Sequence, residues 1–113
     1  MPHCIIEYSV TLTEQVSEKH LLDTVFDTVA QSSLFDPSHI KVRALSYCAY
    51  KLGIQDADFI HVTIRLHQGR SSEQRKRLTA QIVDSLALMG LKNVSITAET
   101  VEMDTDCYSK CLL

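Results

Sequence analysis

Long hydrophobic runs are missing from this sequence of 113 residues, and so is any excess of positive charge. The first absence leaves no stretch that could span a bilayer as a helix, which needs about 20 apolar residues. The second bears on partners: 11 Lys and Arg stand against 14 Asp and Glu, a formal charge of −3. That balance supplies no basic field, so neither nucleic acid nor an anionic membrane is an expected partner. The opening MPHCIIEYS lacks the basic region and apolar segment of a secretory leader, and the expected location is the cytoplasm. Without export, the four cysteines, Cys4, Cys48, Cys107 and Cys111, read as reduced thiols rather than a disulfide framework. Cys107 and Cys111 have C-x-x-x-C spacing, but no second Cys/His pair with zinc-site spacing accompanies them, so no metal site is expected.

What is present suits a globular chain: 45% hydrophobic and 22% charged residues, a length expected to form one domain over 1–113. Residues 3–10, HCIIEYSV, alternate Cys4, Ile6, Tyr8 and Val10 against His3, Ile5, Glu7 and Ser9, the period of a strand. From about 14 to 32 the apolar positions become Leu21, Leu22, Val25, Phe26, Val29 and Ala30, the single stripe of a helix. Thr11 and Glu14 have capping-box spacing for its start, and Pro37 marks a turn after it. KVRALSYCAYKLG, 41–53, predicts a second strand, and FIHVTIRLH, 59–67, a third. A second helix is expected from about Ser71 to Met89 on the stripe Leu78, Ile82, Leu86 and Met89, with Ser71 and Gln74 as its capping box and Gly90 as its stop. NVSITAETVEM, 93–103, predicts a fourth strand.

The two helices overlay at an offset of 57, pairing Leu21 with Leu78, Val25 with Ile82 and Val29 with Leu86. The chain is therefore read as an α+β fold, β-α-β-β-α-β. Right-handed crossovers place both helices on one face of a four-stranded mixed sheet. Strands two and three carry apolar residues on both sides, so the other face is expected to seek a partner, most economically another copy.

One position raises a chemical question. Proline cannot donate to a sheet ladder but is tolerated at a strand's first residue, the plain explanation of Pro2. Removal of Met1 would turn its nitrogen from an amide into a secondary amine, and an amine is a base. To act near neutral pH that amine needs a lowered pKa, supplied by apolar surroundings and nearby cations. LHQGRSSEQR offers one cation: Arg70 stands just before a helix N-terminus and could grip a carboxylate with its planar fork. His3, His61 and Glu7 are expected to make structural bonds, Glu7 to a cation across the sheet, and Arg75, Lys76 and Arg77 to lie in solvent.

The combination of MPHCIIEYS, FIHVTIRL followed by GRSSEQR, and the β-α-β-β-α-β plan resembles the 5-carboxymethyl-2-hydroxymuconate isomerase family of the tautomerase superfamily, over about residues 2–101. The resemblance implies a cofactor-free homotrimer in which the amine of Pro2 moves a proton on a small anionic enol or α-keto acid. Carried over by position, Pro2 matches the catalytic base and Arg70 the carboxylate-holding arginine of the G-R-S turn. Where the family has I-R-x-R, this chain reads Ile40, Lys41, Val42, Arg43; Arg43 is kept and Lys41 replaces an arginine. Two other readings stand beside this one: another proline-dependent reaction, hydration or decarboxylation of a related acid, and a trimeric binding or scaffold protein without catalysis.

Overall fold

A computed structural model describes residues 1–113. The alternating segments form strands and the striped segments helices: β1 is His3–Ser9, α1 Glu18–Gln31, β2 Lys41–Tyr47, β3 Asp58–His67, α2 Ser72–Ala87 and β4 Val94–Met103. In β1 the side chains of Cys4, Ile6 and Tyr8 are buried while His3, Ile5 and Glu7 are half-buried on the opposite side. In β3 the buried set is Ile60, Val62, Ile64 and Leu66. Each helix buries three residues four apart, Leu21, Val25 and Val29 in α1 and Leu78, Ile82 and Leu86 in α2. That spacing keeps them on one face, and together with the strand residues they form a core of 17 side chains.

Strand order is β2-β1-β3-β4. The central pair β1 and β3 is antiparallel, while β1–β2 and β3–β4 are parallel. Each parallel pair is joined through a helix, and both helices lie on the same face of the mixed sheet, packed on each other. The offset of 57 is physical: Thr28 Oγ1 donates to Ser85 Oγ at 2.9 Å, a bond between equivalent positions of α1 and α2. The outer strands break the symmetry. His3 faces Lys41, but Ile60, its counterpart, faces Ile96 rather than Ala98.

Three expectations are corrected. Thr11 and Glu14 do not cap α1; residues Val10–Glu14 make a 3-10 turn around the fully buried Leu12, and the helix starts later, where the Ser17 hydroxyl accepts from the His20 N–H at 3.1 Å. Thr11 instead bonds Asp58 and Tyr50. The second strand stops at Tyr47, not Gly53, because β2 is an edge strand whose one neighbour, β1, ends at Ser9, the partner of Tyr47. Arg75 is half-buried rather than in solvent, and its Nε finds no partner. The capping box of α2 forms as expected, with Ser71 Oγ accepting from Gln74 N–H and the Gln74 side chain accepting from Ser71 N–H. Gly90, at φ +76°, turns the chain after that helix.

The face away from the helices is uncovered and more polar than the sequence pattern suggests. Val42 and Ala44 face the helices and pack on the core, leaving Lys41, Arg43, Leu45 and Tyr47 on the open side. Leu45 is 56% exposed there. Glu7 takes its bond from the Tyr47 hydroxyl rather than from a cation. His61 bonds Thr97 through Nδ1 and Glu99 through Nε2, both at 2.7 Å. No helix is long and apolar enough to cross a membrane.

The two caps make a direct test of the helix starts. Ser17→Ala and Ser71→Ala should each lower stability by about 1 kcal/mol in denaturant unfolding, and Glu14→Ala should stay within about 0.5 kcal/mol. A Glu14→Ala loss equal to that of Ser17→Ala would contradict the observed start of α1.

Candidate functional site

The N-terminal end of β1 lies in the middle of the sheet, so residues from both neighbouring strands converge on it. Pro2 is buried, and its carbonyl accepts from the Lys41 N–H at 3.0 Å, the bond that opens the ladder with β2. His3 then faces Lys41 on β2 and Arg65 on β3, while Ile5 faces Arg43. Residues directly opposite share a face, so Lys41, Arg43 and Arg65 all belong to the open side. Pro2 carries Met1 here, which makes its nitrogen a peptide amide.

Arg70, in the turn after β3, is held in two ways. Its Nη2 donates to the carbonyl of Leu34 at 2.9 Å, and its guanidinium carbon lies 4.4 Å from the centre of the Phe35 ring. It borders a hollow of about 510 Å³ with Met1, His39, His67, Thr105, Tyr108 and Lys110. The terminal amine of Met1 is held below its ordinary pKa, first by burial and then by the charges of Lys41, Lys110 and Arg70, with Asp36 opposing. Both effects favour the neutral amine.

A second hollow of about 370 Å³ adjoins it on the open sheet face, bordered by His3, Arg43, Arg65, Met103, Asp104, Cys107 and Tyr108. Arg43 Nη1 meets His3 Nδ1 at 3.1 Å, and His3 Nε2 meets the Tyr108 hydroxyl at 2.9 Å. Burial, and then Arg43, Lys41, the chain terminus and Arg65, lower the pKa of His3 and keep the ring neutral. Ion pairs in the structure are confined to Lys19–Asp23 and His61–Glu99. Lys41, Arg43, Arg65, Arg70 and Lys110 therefore have no carboxylate partner, which leaves a local cationic end on an acidic chain.

The structure thus puts Arg70 in the hollow bordered by Met1 and Arg43 in the next, beyond Tyr108; Pro2 is buried one residue along the chain from Met1 and borders neither. Lys41 also borders neither; it lies along a groove at the β2 edge with Leu22, Asp23, Phe26, Ile40 and Val42, and reaches the terminus through its charge alone. Sequence reasoning missed Arg65, although the period of β3 puts it on the face of His61 and Thr63. It also set aside the tail TDCYSKCLL, which supplies Thr105, Tyr108 and Lys110. Short polar tails carry no periodicity, so nothing in that segment signalled a return to β1. Cys107 and Cys111 are free and exposed. Burial pushes the Cys4 thiol up to about 12 and leaves it inert. No group of three or more His, Cys, Asp and Glu side chains is placed to hold a metal ion.

Comparison with known proteins gives this geometry its relatives. No curated protein matches the chain. Among solved structures, a 5-carboxymethyl-2-hydroxymuconate delta-isomerase superposes with a TM-score of 0.84 at 18% identity, covering 99% of this chain and 88% of the other. A 5-carboxymethyl-2-hydroxymuconate isomerase from Deinococcus radiodurans R1 gives 0.81 at 24% identity, with 97% and 88% covered. A fused 4-OT described as a symmetric trimer gives 0.72 at 12% identity, with 94% and 91% covered. At such identities these structures speak for the fold. The sequence profile of 5-carboxymethyl-2-hydroxymuconate isomerase matches residues 2–108, beginning at Pro2 and extending past the expected limit at 101 to take in Tyr108. The chain belongs to the 5-carboxymethyl-2-hydroxymuconate isomerase family of the tautomerase superfamily.

Proposed function

We propose that this isomerase-family protein is a cofactor-independent tautomerase whose base is the secondary amine of Pro2, exposed by removal of Met1. The observation that carries the reading is electrostatic: the chain terminus lies in a partly dry hollow where Lys41, Lys110 and Arg70 all disfavour its ammonium form. One residue further in, the amine of Pro2 inherits that field. An unprotonated amine accepts a proton from the carbon or enol oxygen of a bound acid and returns it at another position as the ammonium.

Arg70 serves as the carboxylate anchor. One of its five N–H groups is committed to Leu34, and Phe35 fixes the plane of the fork, so the remaining donors are available without reorganisation. Arg43 offers a second cationic contact from the adjacent hollow, and Lys41 acts on the amine through space. The substrate class is a small anionic enol or α-keto acid of the carboxymethyl-hydroxymuconate type. Assembly as a homotrimer through the open sheet face completes the proposal, supported by that uncovered face and by the trimeric relative of the same fold. A non-catalytic binding protein is the second reading. It is favoured by one contact, the Met1 sulfur accepting from the Tyr108 hydroxyl, which fills the hollow from within.

Intact mass separates the two, since catalysis requires a product lighter by one methionine. With that terminus confirmed, Pro2→Ala should lower kcat/KM for phenylenolpyruvate by about 10²-fold or more; undiminished turnover would defeat the proline mechanism. Arg70→Ala should lower kcat/KM about tenfold to a hundredfold, the range for a charged hydrogen bond, with Arg70→Lys between it and the wild type. An unchanged KM and kcat would remove Arg70 from the site.

The pH profile tests the field itself. Rate depends on the neutral amine, so kcat/KM rises with pH through the amine's pKa. Each nearby cation lowers that pKa and moves the rise to lower pH. Lys110→Gln removes one cation, and the acid limb should move toward higher pH. A limb that stays in place, or moves the other way, contradicts the assignment.

A further inference from the structure

The two hollows share one wall, and that wall is a phenol. Tyr108 borders both, and its ring is packed edge-on against His67, with centroids 5.0 Å apart at 89°, and against His3 at 6.0 Å and 61°. Its hydroxyl joins a chain of hydrogen bonds that runs from Arg43 through His3 and Tyr108 to the sulfur of Met1.

The direction of that chain is dictated at both ends. A guanidinium has no acceptor, so Arg43 donates to His3 Nδ1, and a neutral ring accepting there carries its hydrogen on Nε2. His3 Nε2–H therefore donates to the Tyr108 oxygen. A thioether has no donor, so the remaining bond is Tyr108 O–H to Met1 Sδ. Protonation of His3 would aim an N–H at the Arg43 guanidinium, and the cations around the ring oppose it. With the His3 Nε2–H on its oxygen, the phenol turns its own proton away from His3, to the side where the Met1 side chain lies.

Removal of Met1 takes away that acceptor and leaves the donor aimed at the volume its side chain held, in the hollow that Arg70 and Lys110 also border. We propose that Tyr108 is a catalytic residue of this protein, donating a hydrogen bond to the enolate oxygen of the substrate from a position fixed by His3 and Arg43. The inference rests on the proline-dependent isomerase reading and adds to it the group that meets the oxygen while Pro2 works at carbon. Negative charge grows on that oxygen as the carbon-bound proton leaves. A preoriented neutral donor beside it strengthens its bond as the charge develops. The phenol keeps its proton throughout, so the proton count of the reaction stays with Pro2.

The alternative is that Tyr108 does no more than hold the tail to the sheet. Tyr108→Phe retains the ring and its packing on His3 and His67 and removes only the hydroxyl. In enzyme with a confirmed Pro2 terminus, that variant should lose about 10²-fold in kcat, with KM within about threefold of wild type and an unchanged melting temperature. His3→Ala should lower kcat in the same way, and His3→Gln, whose terminal amide can reach the Tyr108 oxygen, should restore most of it. Wild-type turnover with kcat retained in Tyr108→Phe overturns the proposal while leaving the isomerase reading intact. So does a change confined to KM, or a loss in Tyr108→Phe that accompanies a lowered melting temperature together with a His3→Gln variant no more active than His3→Ala. A wild type with free Pro2 and no turnover on phenylenolpyruvate or a hydroxymuconate overturns both.

Discussion

The backbone ladder around the first residues of β1 is the constraint on which the site depends. The Lys41 N–H bonded to the Pro2 carbonyl sets the parallel register with β2, and the antiparallel pairing with β3 puts Arg65 opposite His3. A slip of one residue in either ladder would send the cationic side chains to the helix face, among Leu21, Val25 and Leu78, where unpaired charge is intolerable. The core therefore enforces the electrostatics. Cys4, Ile6 and Tyr8 have one direction in which to be buried, and that choice leaves His3 and its cationic neighbours on the open side.

A consequence is that charge is concentrated where the total is negative. The chain as a whole carries −3, yet five Lys and Arg side chains at one end have no carboxylate within ion-pair distance. Such an end is expensive to assemble, and its effect on neighbouring groups is visible: the terminal amine and His3 are each held toward their neutral forms. Arg70 limits the disorder of the arrangement, because Leu34 and Phe35 fix it before any ligand arrives.

The order of elements, the helix stripes and the single-faced packing were all legible from periodicity, because burial of Leu21, Val25, Val29 and their counterparts leaves a strong 3.6-residue signal. The start of α1 was not. Thr11 and Glu14 have the right spacing for a capping box, but the demand of Leu12 and Val16 for burial bends the chain first, and Ser17 takes the cap. The end of β2 was hidden for a related reason: Cys48, Ala49 and Tyr50 have strand-like character but no strand beside them. Of the candidate residues, Pro2, Arg70 and Arg43 could be picked out from motifs, whereas Tyr108 and Lys110 could not, since a return of the tail to the sheet leaves no local pattern.

The 57-residue offset that bonds Thr28 to Ser85 also relates Pro2 to Phe59, at the opposite rim of the sheet. There Asp58 takes bonds from Ser9 and Thr11, and the Phe59 nitrogen is a mid-chain peptide amide. Near-twofold architecture is thus paired with one-sided chemistry: a nitrogen can be unmasked only where the polymer stops. On the proposed proline mechanism, each polypeptide has one reactive end however many copies assemble, and no internal duplication of the half-fold would raise that number.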